Sequence, residues 1–261
     1  NQKINPEARP WGVIGTALSG LIILGLTYAL SYILLIAFIS HAEKFGLDIH
    51  SLLIPATEYN GFLIALSSLI TTPVILILTS LCIYFRKGIT FSDYIGLYPV
   101  SFRQIWKWCG ILLLVLVVNE AIARMIGRPY LPEFMSEAYK TSGYPILFLI
   151  SLVIAVPITE EFFFRGFLMT GLHYSKLGWF GAIMICSFLW SITHIQYDWH
   201  DISWIFILGI ILGYAKKDTG SIYTPLIMHA LVNTIALLGT AAYVENNGTI
   251  KHLPIPYYRN L

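Results

Sequence analysis

The sequence SLVIAVPITEEFFFRGFLMTGL, residues 151–172, places two adjacent glutamates and an arginine inside a continuous apolar run. A charged side chain at the centre of a bilayer costs about 2.5–3.5 kcal/mol on insertion scales. Ionisable groups in such a segment are therefore expected to face the protein interior and to mark a functional site. The stretch predicts a membrane-spanning helix built around a polar centre.

The composition of the whole chain supports this interpretation. The 261 residues are 57% hydrophobic and only 11% charged, whereas a soluble domain has roughly 25% charged residues. The mean hydropathy is +0.72. The net charge of +2, without a block of like charge, gives no sign of a nucleic acid partner. The three cysteines lack disulfide or zinc-ribbon spacing. The sequence predicts an all-α, polytopic membrane protein.

The apolar runs predict a transmembrane helix bundle with about seven to eight spans. A helix that crosses about 30 Å of hydrocarbon needs roughly 20 apolar residues. The sixth candidate is short, and the fourth is long enough to contain a break at Pro157. The candidates are residues 11–39, 62–85, 108–126, 144–172, 179–195, 202–215 and 223–243.

Positive charge in the loops predicts the orientation. Loops rich in lysine and arginine stay on the cytoplasmic side. In this chain most lysines and arginines lie before the first span or in every second loop after it. The N-terminus is therefore predicted to be cytoplasmic and, with seven spans, the C-terminus external. The predicted cytoplasmic cations are Lys3, Arg9, Arg86, Lys87, Arg103, Lys107, Lys176, Lys216 and Lys217.

Spacing divides the charges of the fourth span into two groups. Glu161 and Arg165 are four residues apart on one helix face, which predicts an ion pair. Glu160 lies about 100° around the helix from Glu161 and has no cation three or four residues away. Its partner is therefore expected on another helix.

Later spans offer polar residues that could meet Glu160. His194 lies near the end of the fifth span, and His229 and Asn233 are one turn apart on the seventh. At a rise of 1.5 Å per residue, Glu160 lies about 18 Å and His194 about 22 Å from the cytoplasmic ends of their spans. Asn233 lies about 15 Å and His229 about 9 Å from that side. The four residues therefore fall in one layer.

These residue types suit hydrolysis. Glu160 could act as a general base, and His194 could help to hold the water. His229 and Asn233 could stabilise the oxyanion that forms when water attacks an amide carbonyl. Glu160, His194 and His229 could instead bind a divalent metal such as Zn²⁺, which would acidify the water. The residues leave both chemistries open.

Three short motifs resemble those of the CAAX protease and bacteriocin-processing (CPBP) family of intramembrane proteases. EEFFFR, residues 160–165, resembles the family's EExxxR motif, and HALVN, residues 229–233, resembles HxxxN. WSITH, residues 190–194, is similar to FxxxH, with Trp190 in place of phenylalanine. The family includes type 2 CAAX prenyl proteases and lysostaphin resistance protein A-like (Abi family) proteins. The departure at Trp190 bears on substrate fit more than on catalysis.

The resemblance implies an intramembrane endopeptidase acting on a membrane-associated protein or peptide, such as a prenylated CAAX protein. It implies that Glu160 and His194 activate a water and that His229 and Asn233 bind the oxyanion. Glu161 and Arg165 would support the site. The expected location is the plasma membrane of a prokaryote, with cleavage near the cytoplasmic half of the bilayer. We expect one membrane domain with N-terminal helices over 1–143, a catalytic core over 144–243 and a tail over 244–261.

Two other functions remain open from the sequence. The same scaffold could serve as a non-catalytic immunity or scaffolding protein, or as a proton-coupled secondary transporter with Glu160 as the proton carrier. Asp198, His200 and Asp201 resemble a metal cluster. Their position in a short loop makes a site there a weak candidate.

Overall fold

The computed structural model describes residues 10–45, 48, 59–86, 88–128 and 131–246. The predicted cations Lys3, Arg9 and Lys87, and residues 247–261 of the predicted tail, lie outside this part of the chain. Within the described ranges the regular structure is helical, which confirms the all-α prediction. The main helices are α1 Val13–His41, α2 Gly61–Tyr84, α3 Phe91–Ile95, α4 Phe102–Met125, α5 Glu133–Lys140, α6 Pro145–His173, α7 Gly178–Ile192, α8 Trp199–Thr219 and α9 Tyr223–Asn246.

Five of these helices are long and apolar enough to cross a membrane, namely α1, α2, α4, α6 and α9. The predicted fifth span is helix α7, which is apolar but has only 15 residues. The predicted sixth span is helix α8, whose 21 residues include four charged ones. Helices α7 and α8 pack against each other. The structure thus confirms a multi-pass helical protein but not a count of seven to eight spans.

Side chains at the helix ends explain where several helices begin and end. The Asn60 side chain accepts a hydrogen bond from the backbone N–H of Leu63 at the start of α2. Asp198 accepts two backbone N–H groups at the start of α8. Such caps satisfy donors that have no partner within the first turn. Helix α8 ends at Gly220, whose φ of +69° favours glycine.

Helix α6 runs from Pro145 to His173 as one helix, without the break at Pro157 that the length of the fourth span allows. Two π-helical segments flank that proline instead, Ser151–Ala155 and Glu161–Leu168. Proline lacks an N–H and its ring crowds a carbonyl of the preceding turn. A widened turn relieves that crowding without ending the helix. Such π segments are rare in proteins, and those that occur often lie at functional sites.

Small residues bring neighbouring helices close together, as they do in other membrane bundles. A Cβ at Gly171 of α6 would lie 2.1 Å from the Thr16 hydroxyl of α1. A Cβ at Gly209 of α8 would lie 2.9 Å from Ser187 of α7. These approaches let α1 pack closely on α6 and α8 pack closely on α7.

Polar contacts join loops that the alternating topology places on the same side. Lys107 and Asp218 form an ion pair of 2.8 Å between α4 and α8 at the predicted cytoplasmic end. At the opposite end, Arg128 pairs with Asp198, and Thr141 accepts the backbone N–H of Gly61 at 2.8 Å. The contacts agree with alternating helix directions. The orientation in the membrane stays a prediction.

Candidate active site

Glu161 lies at the buried centre of the site. Its side chain is 0% exposed, and Nη1 of Arg165 donates to its Oε1 at 2.8 Å, so the predicted ion pair is present. Nδ1 of His229 approaches the same oxygen at 2.9 Å. Because an ionised carboxylate only accepts hydrogen bonds, this imidazole nitrogen carries the hydrogen. Glu161 therefore binds two partners, whereas spacing along one helix predicts only Arg165.

Glu160 is the more accessible of the two carboxylates, with 21% of its side chain exposed. Its Oε2 accepts the indole N–H of Trp190 at 2.5 Å and lies 3.8 Å from Nε2 of His229. Its partners therefore come from α7 and α9, as expected for a residue without a cation on its own helix. No hydrogen bond joins Glu160 to His194 among the described side chains.

Trp190 is a site residue that sequence reasoning missed. Besides donating to Glu160, its ring lies under the guanidinium of Arg165, whose Cζ is 4.2 Å from the ring centroid. The ring is 1% exposed. A phenylalanine could provide the ring but not the N–H. The available signal was this chemical difference at the position where WSITH departs from FxxxH.

His194 follows the end of α7, which stops at Ile192. Nδ1 of His194 lies 2.9 Å from the carbonyl oxygen of Trp190. Because a carbonyl only accepts, Nδ1 carries the hydrogen and Nε2 keeps a lone pair in the neutral imidazole. His194 can therefore accept a hydrogen bond or a proton from a bound water.

Asn233 of α9 contacts the π-helical part of α6. Its Nδ2 donates to the carbonyl oxygen of Leu152 at 2.8 Å. A π turn rearranges the carbonyl partners of an α-helix, and this amide satisfies one of them. The second hydrogen on Nδ2 remains available to a ligand.

Two cavities meet at these residues. A smaller cavity of about 250 Å³ is lined by Glu160 of α6 together with residues of α1 and α2. A larger cavity of about 1110 Å³ is lined by Trp190, His229 and Asn233. His194 borders both cavities. The predicted base thus faces one cavity, and the predicted oxyanion donors face the other.

The larger cavity also shows from which end of the bundle the site is reached. Its lining includes Arg128, Glu133 and Asp198, which lie in or beside the loops predicted to be external. The cavity thus extends toward the predicted external end. Cleavage near the cytoplasmic half of the bilayer stays a prediction.

The residues proposed as metal ligands do not form a compact ligand set. Zinc bonds of about 2.1 Å at tetrahedral angles place ligand atoms about 3.4 Å apart. Glu160 and His229 approach this spacing, at 3.8 Å. Ligand atoms of Glu160, His194 and His229 do not all lie within 4.8 Å of one another. Within the described ranges, only those of Asp198, His200 and Asp201 do. Glu160, His194 and His229 do not fit a metal in this arrangement.

The exception is the cluster of Asp198, His200 and Asp201, which lies at the start of helix α8 rather than in the predicted loop. Arg128 pairs with both aspartates, and His200 lies 3.1 Å from Asp201. Burial would raise the pKa of Asp198, but the hydrogen bond and charge of Arg128, together with the backbone N–H groups of Asp201 and His200, outweigh it and hold the pKa below the ordinary 3.8. The guanidinium thus provides the positive charge that these carboxylates face.

Lys216 is a second residue whose place the sequence did not indicate. The sequence predicts Lys216 in a cytoplasmic loop, but this residue is 3% exposed within α8. Its Nζ donates to the carbonyl oxygens of Ile95 and Arg165 and to the hydroxyl of Thr170 at 3.2 Å. Lys216 therefore supports the π segment that carries Arg165.

Comparison with known proteins identifies the segment that holds this site. A family model described as "Type II CAAX prenyl endopeptidase Rce1-like" matches residues 142–235. Residues 142–235 belong to the CAAX-protease family. This CAAX-protease segment contains Glu160, Glu161, Arg165, His194, His229 and Asn233.

A relative of unassigned activity shares part of the chain. An "Uncharacterized 24.3 kDa protein" of Escherichia coli is 28% identical over 134 residues, which are 49% of this chain and 61% of that protein. No solved structure matches the chain. The identification of the CAAX-protease segment therefore rests on the family model together with the three motifs.

Proposed function

We propose that this protein is an intramembrane endopeptidase that hydrolyses a peptide bond of a membrane-associated protein or peptide. One observation carries the proposal: Glu160 lines one cavity, His229 and Asn233 line another, and His194 borders both. A base and its water on one side, with oxyanion donors on the other, is the arrangement that attack on a carbonyl requires.

Glu160 is the proposed general base. Its Oε2 is oriented by the indole N–H of Trp190, and Oε1 is left to accept a hydrogen from water. Nε2 of His194 accepts the second hydrogen of that water. As the water oxygen bonds to the carbonyl carbon, Glu160 takes one proton. Glu160 then returns this proton to the amine as the carbon–nitrogen bond breaks.

His229 and Asn233 are the proposed oxyanion donors. Nδ1 of His229 already donates to Glu161, so Nε2 can donate only in the imidazolium form. The carboxylates of Glu161 and Glu160 flank this ring, at 2.9 Å and 3.8 Å. Asn233 offers its second amide hydrogen. Glu161 and Arg165 fix the ring and the helix that carries the base.

The larger cavity is the proposed substrate site. Small-molecule sites usually span about 300–1000 Å³, and a cavity of about 1110 Å³ has room for a peptide segment. The substrate could be a prenylated CAAX protein or another membrane peptide. The plasma membrane of a prokaryote and a cytoplasmic N-terminus remain part of this proposal.

Two experiments separate the proposal from its alternatives, neither of which the family match favours. The purified protein in liposomes is incubated with a library of membrane peptides, with and without a chelator, and products are identified by mass spectrometry. We expect cleavage that the chelator leaves unchanged. Folded protein that cleaves nothing would support a scaffold, and proton-coupled uptake that Glu160→Gln abolishes would support a transporter.

A further inference from the structure

We propose that the smaller cavity is a water compartment, which supplies the hydrolytic water to Glu160 from the side opposite the substrate. The proposal deepens the proposed function and rests on it. A hydrolase buried in hydrocarbon needs a route for water that remains open while the substrate is bound. In this molecule the base faces a cavity separate from the one that holds the oxyanion donors.

Hydroxyl groups dominate the polar part of this compartment. Helix α2 provides three of these hydroxyls, from two adjacent serines and from a threonine one turn later. Helices α1 and α6 and the end of α7 each provide one threonine hydroxyl. Side chains of this kind are expensive against hydrocarbon unless they find hydrogen-bond partners. They are Thr27, Ser67, Ser68, Thr71, Thr159 and Thr193.

Several of these hydroxyls have already used their hydrogen. Ser67 and Ser68 both donate to the carbonyl oxygen of Ile64, at 3.1 Å and 2.7 Å. Thr193 donates to the carbonyl oxygen of Trp190 at 2.7 Å. Their lone pairs remain, so the wall presents acceptors, as does the carboxylate of Glu160. The matching occupant donates hydrogen bonds, which water does and a lipid chain cannot.

Thr27 provides a second, independent observation. Its side chain is 2% exposed, and its Oγ1 has no hydrogen-bond partner among the described atoms. It lines this cavity from α1, a helix outside the matched residues 142–235. Buried hydroxyls nearly always have a partner, and an ordered water is the usual one when protein atoms provide none.

The volume of the compartment suits this role. A water occupies about 30 Å³ of liquid, so a cavity of about 250 Å³ holds several water molecules. Such a chain of waters can replace the one consumed in each turnover. Substrate can then fill the larger cavity completely while water still reaches Glu160.

Hydroxyl-radical footprinting tests the compartment without requiring peptidase activity. Radicals generated from water by X-rays label side chains that lie beside bound water. Phe163 lines the compartment and is 1% exposed, whereas Phe167 is 0% exposed, stacks on Phe163 and lines neither cavity. We expect labelling of Phe163 but not of Phe167. Equal protection of both rings would overturn the proposal and would indicate a dry or lipid-filled cavity.

Kinetics of Thr27 variants then test the link to catalysis. Thr27→Val removes the hydroxyl without changing the shape, and the loss of one hydrogen bond to the water lowers kcat about tenfold with KM little changed. Thr27→Ser should restore kcat. Thr79→Val is the matched control, because Thr79 is also buried and without a described partner but lines neither cavity.

The outcomes distinguish failure of this inference from failure of the proposed function. If the wild-type protein cleaves peptide and Thr27→Val has the same kcat, the result contradicts the water compartment but not the proposed peptidase. A labelled Phe163 in a folded protein that cleaves no peptide contradicts the peptidase and, with it, the supply of hydrolytic water. An equal loss of kcat in Thr79→Val would reduce the Thr27 effect to a structural one and overturn the inference.

Discussion

The indole N–H of Trp190 is hydrogen-bonded to Oε2 of Glu160, so a residue of α7 fixes the proposed base of α6. Phenylalanine, the residue usual in the FxxxH motif, would fill the same space without holding the carboxylate. The orientation of the base is therefore a property of this chain that the motif alone does not provide.

Replacing this tryptophan tests its role. We expect Trp190→Phe to lower kcat about tenfold with little change in KM, because the carboxylate loses the donor that orients it. Steady-state cleavage kinetics provide the measurement. Trp106→Phe, at a position 73% exposed, is the control and should retain wild-type kcat. A Trp190→Phe enzyme as fast as the wild type would show that the hydrogen bond does not matter for catalysis.

Two arginines, each four residues after a glutamate, give a matched test of burial. Arg165→Met leaves Glu161 buried without its cation and should destabilise the protein by about 3–5 kcal/mol. Arg124→Met removes an exposed pair with Glu120, in which the two side chains are 70% and 47% exposed, and should change stability little. Thermal unfolding in detergent measures both. Similar midpoints for the two variants would contradict the central position of the Glu161 pair.

Adjacent lysines provide a similar comparison. Lys216 is buried and donates to the carbonyl oxygens of Ile95 and Arg165, whereas Lys217 is exposed. Lys216→Met leaves those carbonyls without their donor, and each such loss costs about 1–3 kcal/mol. The unfolding midpoint should fall for Lys216→Met and stay unchanged for Lys217→Met. The opposite ranking would show that Lys216 does not support the π segment.

The pairing of Arg128 with Asp198 should make stability depend on pH. Because folding holds the pKa of Asp198 below 3.8, its contribution is present at neutral pH and is lost as pH falls through the lowered value. Asp198→Asn keeps the helix cap, since asparagine caps as well as aspartate. The variant should unfold earlier than the wild type at pH 7, and the difference should shrink as pH falls below 3.8 toward the lowered pKa. A difference that does not shrink in acid would contradict the ion pair.

The sequence predicts those parts of the site that depend on one helix. The ion pair of Glu161 and Arg165 follows from their spacing, and the structure has it. The contact of His229 with Glu161 depends on how α9 packs against α6, and no local pattern carries that information. The same holds for Trp190 and Glu160, which are 30 residues apart.

The fold was predicted in kind but not in detail. Apolar runs identify long helices reliably, and five of them match predicted spans. Helix α7 is shorter than the predicted fifth span, because the apolar run continues past Ile192 into the turn that holds His194. Lys216 was predicted to lie in a loop because a hydropathy scale gives lysine the same low value in a loop and in a buried helix. The π segments around Pro157 have no sequence signal beyond the proline.

The most direct test of the central claim is the rate of peptide cleavage by wild-type protein and by Glu160→Gln in the same liposomes. Loss of a general base lowers rates by about 10²–10⁴-fold, so we predict loss of cleavage of that size with an unchanged unfolding midpoint. Asp218→Asn, an exposed carboxyl at the far end of the bundle, should cleave normally. Cleavage by folded Glu160→Gln at the wild-type rate would contradict the account.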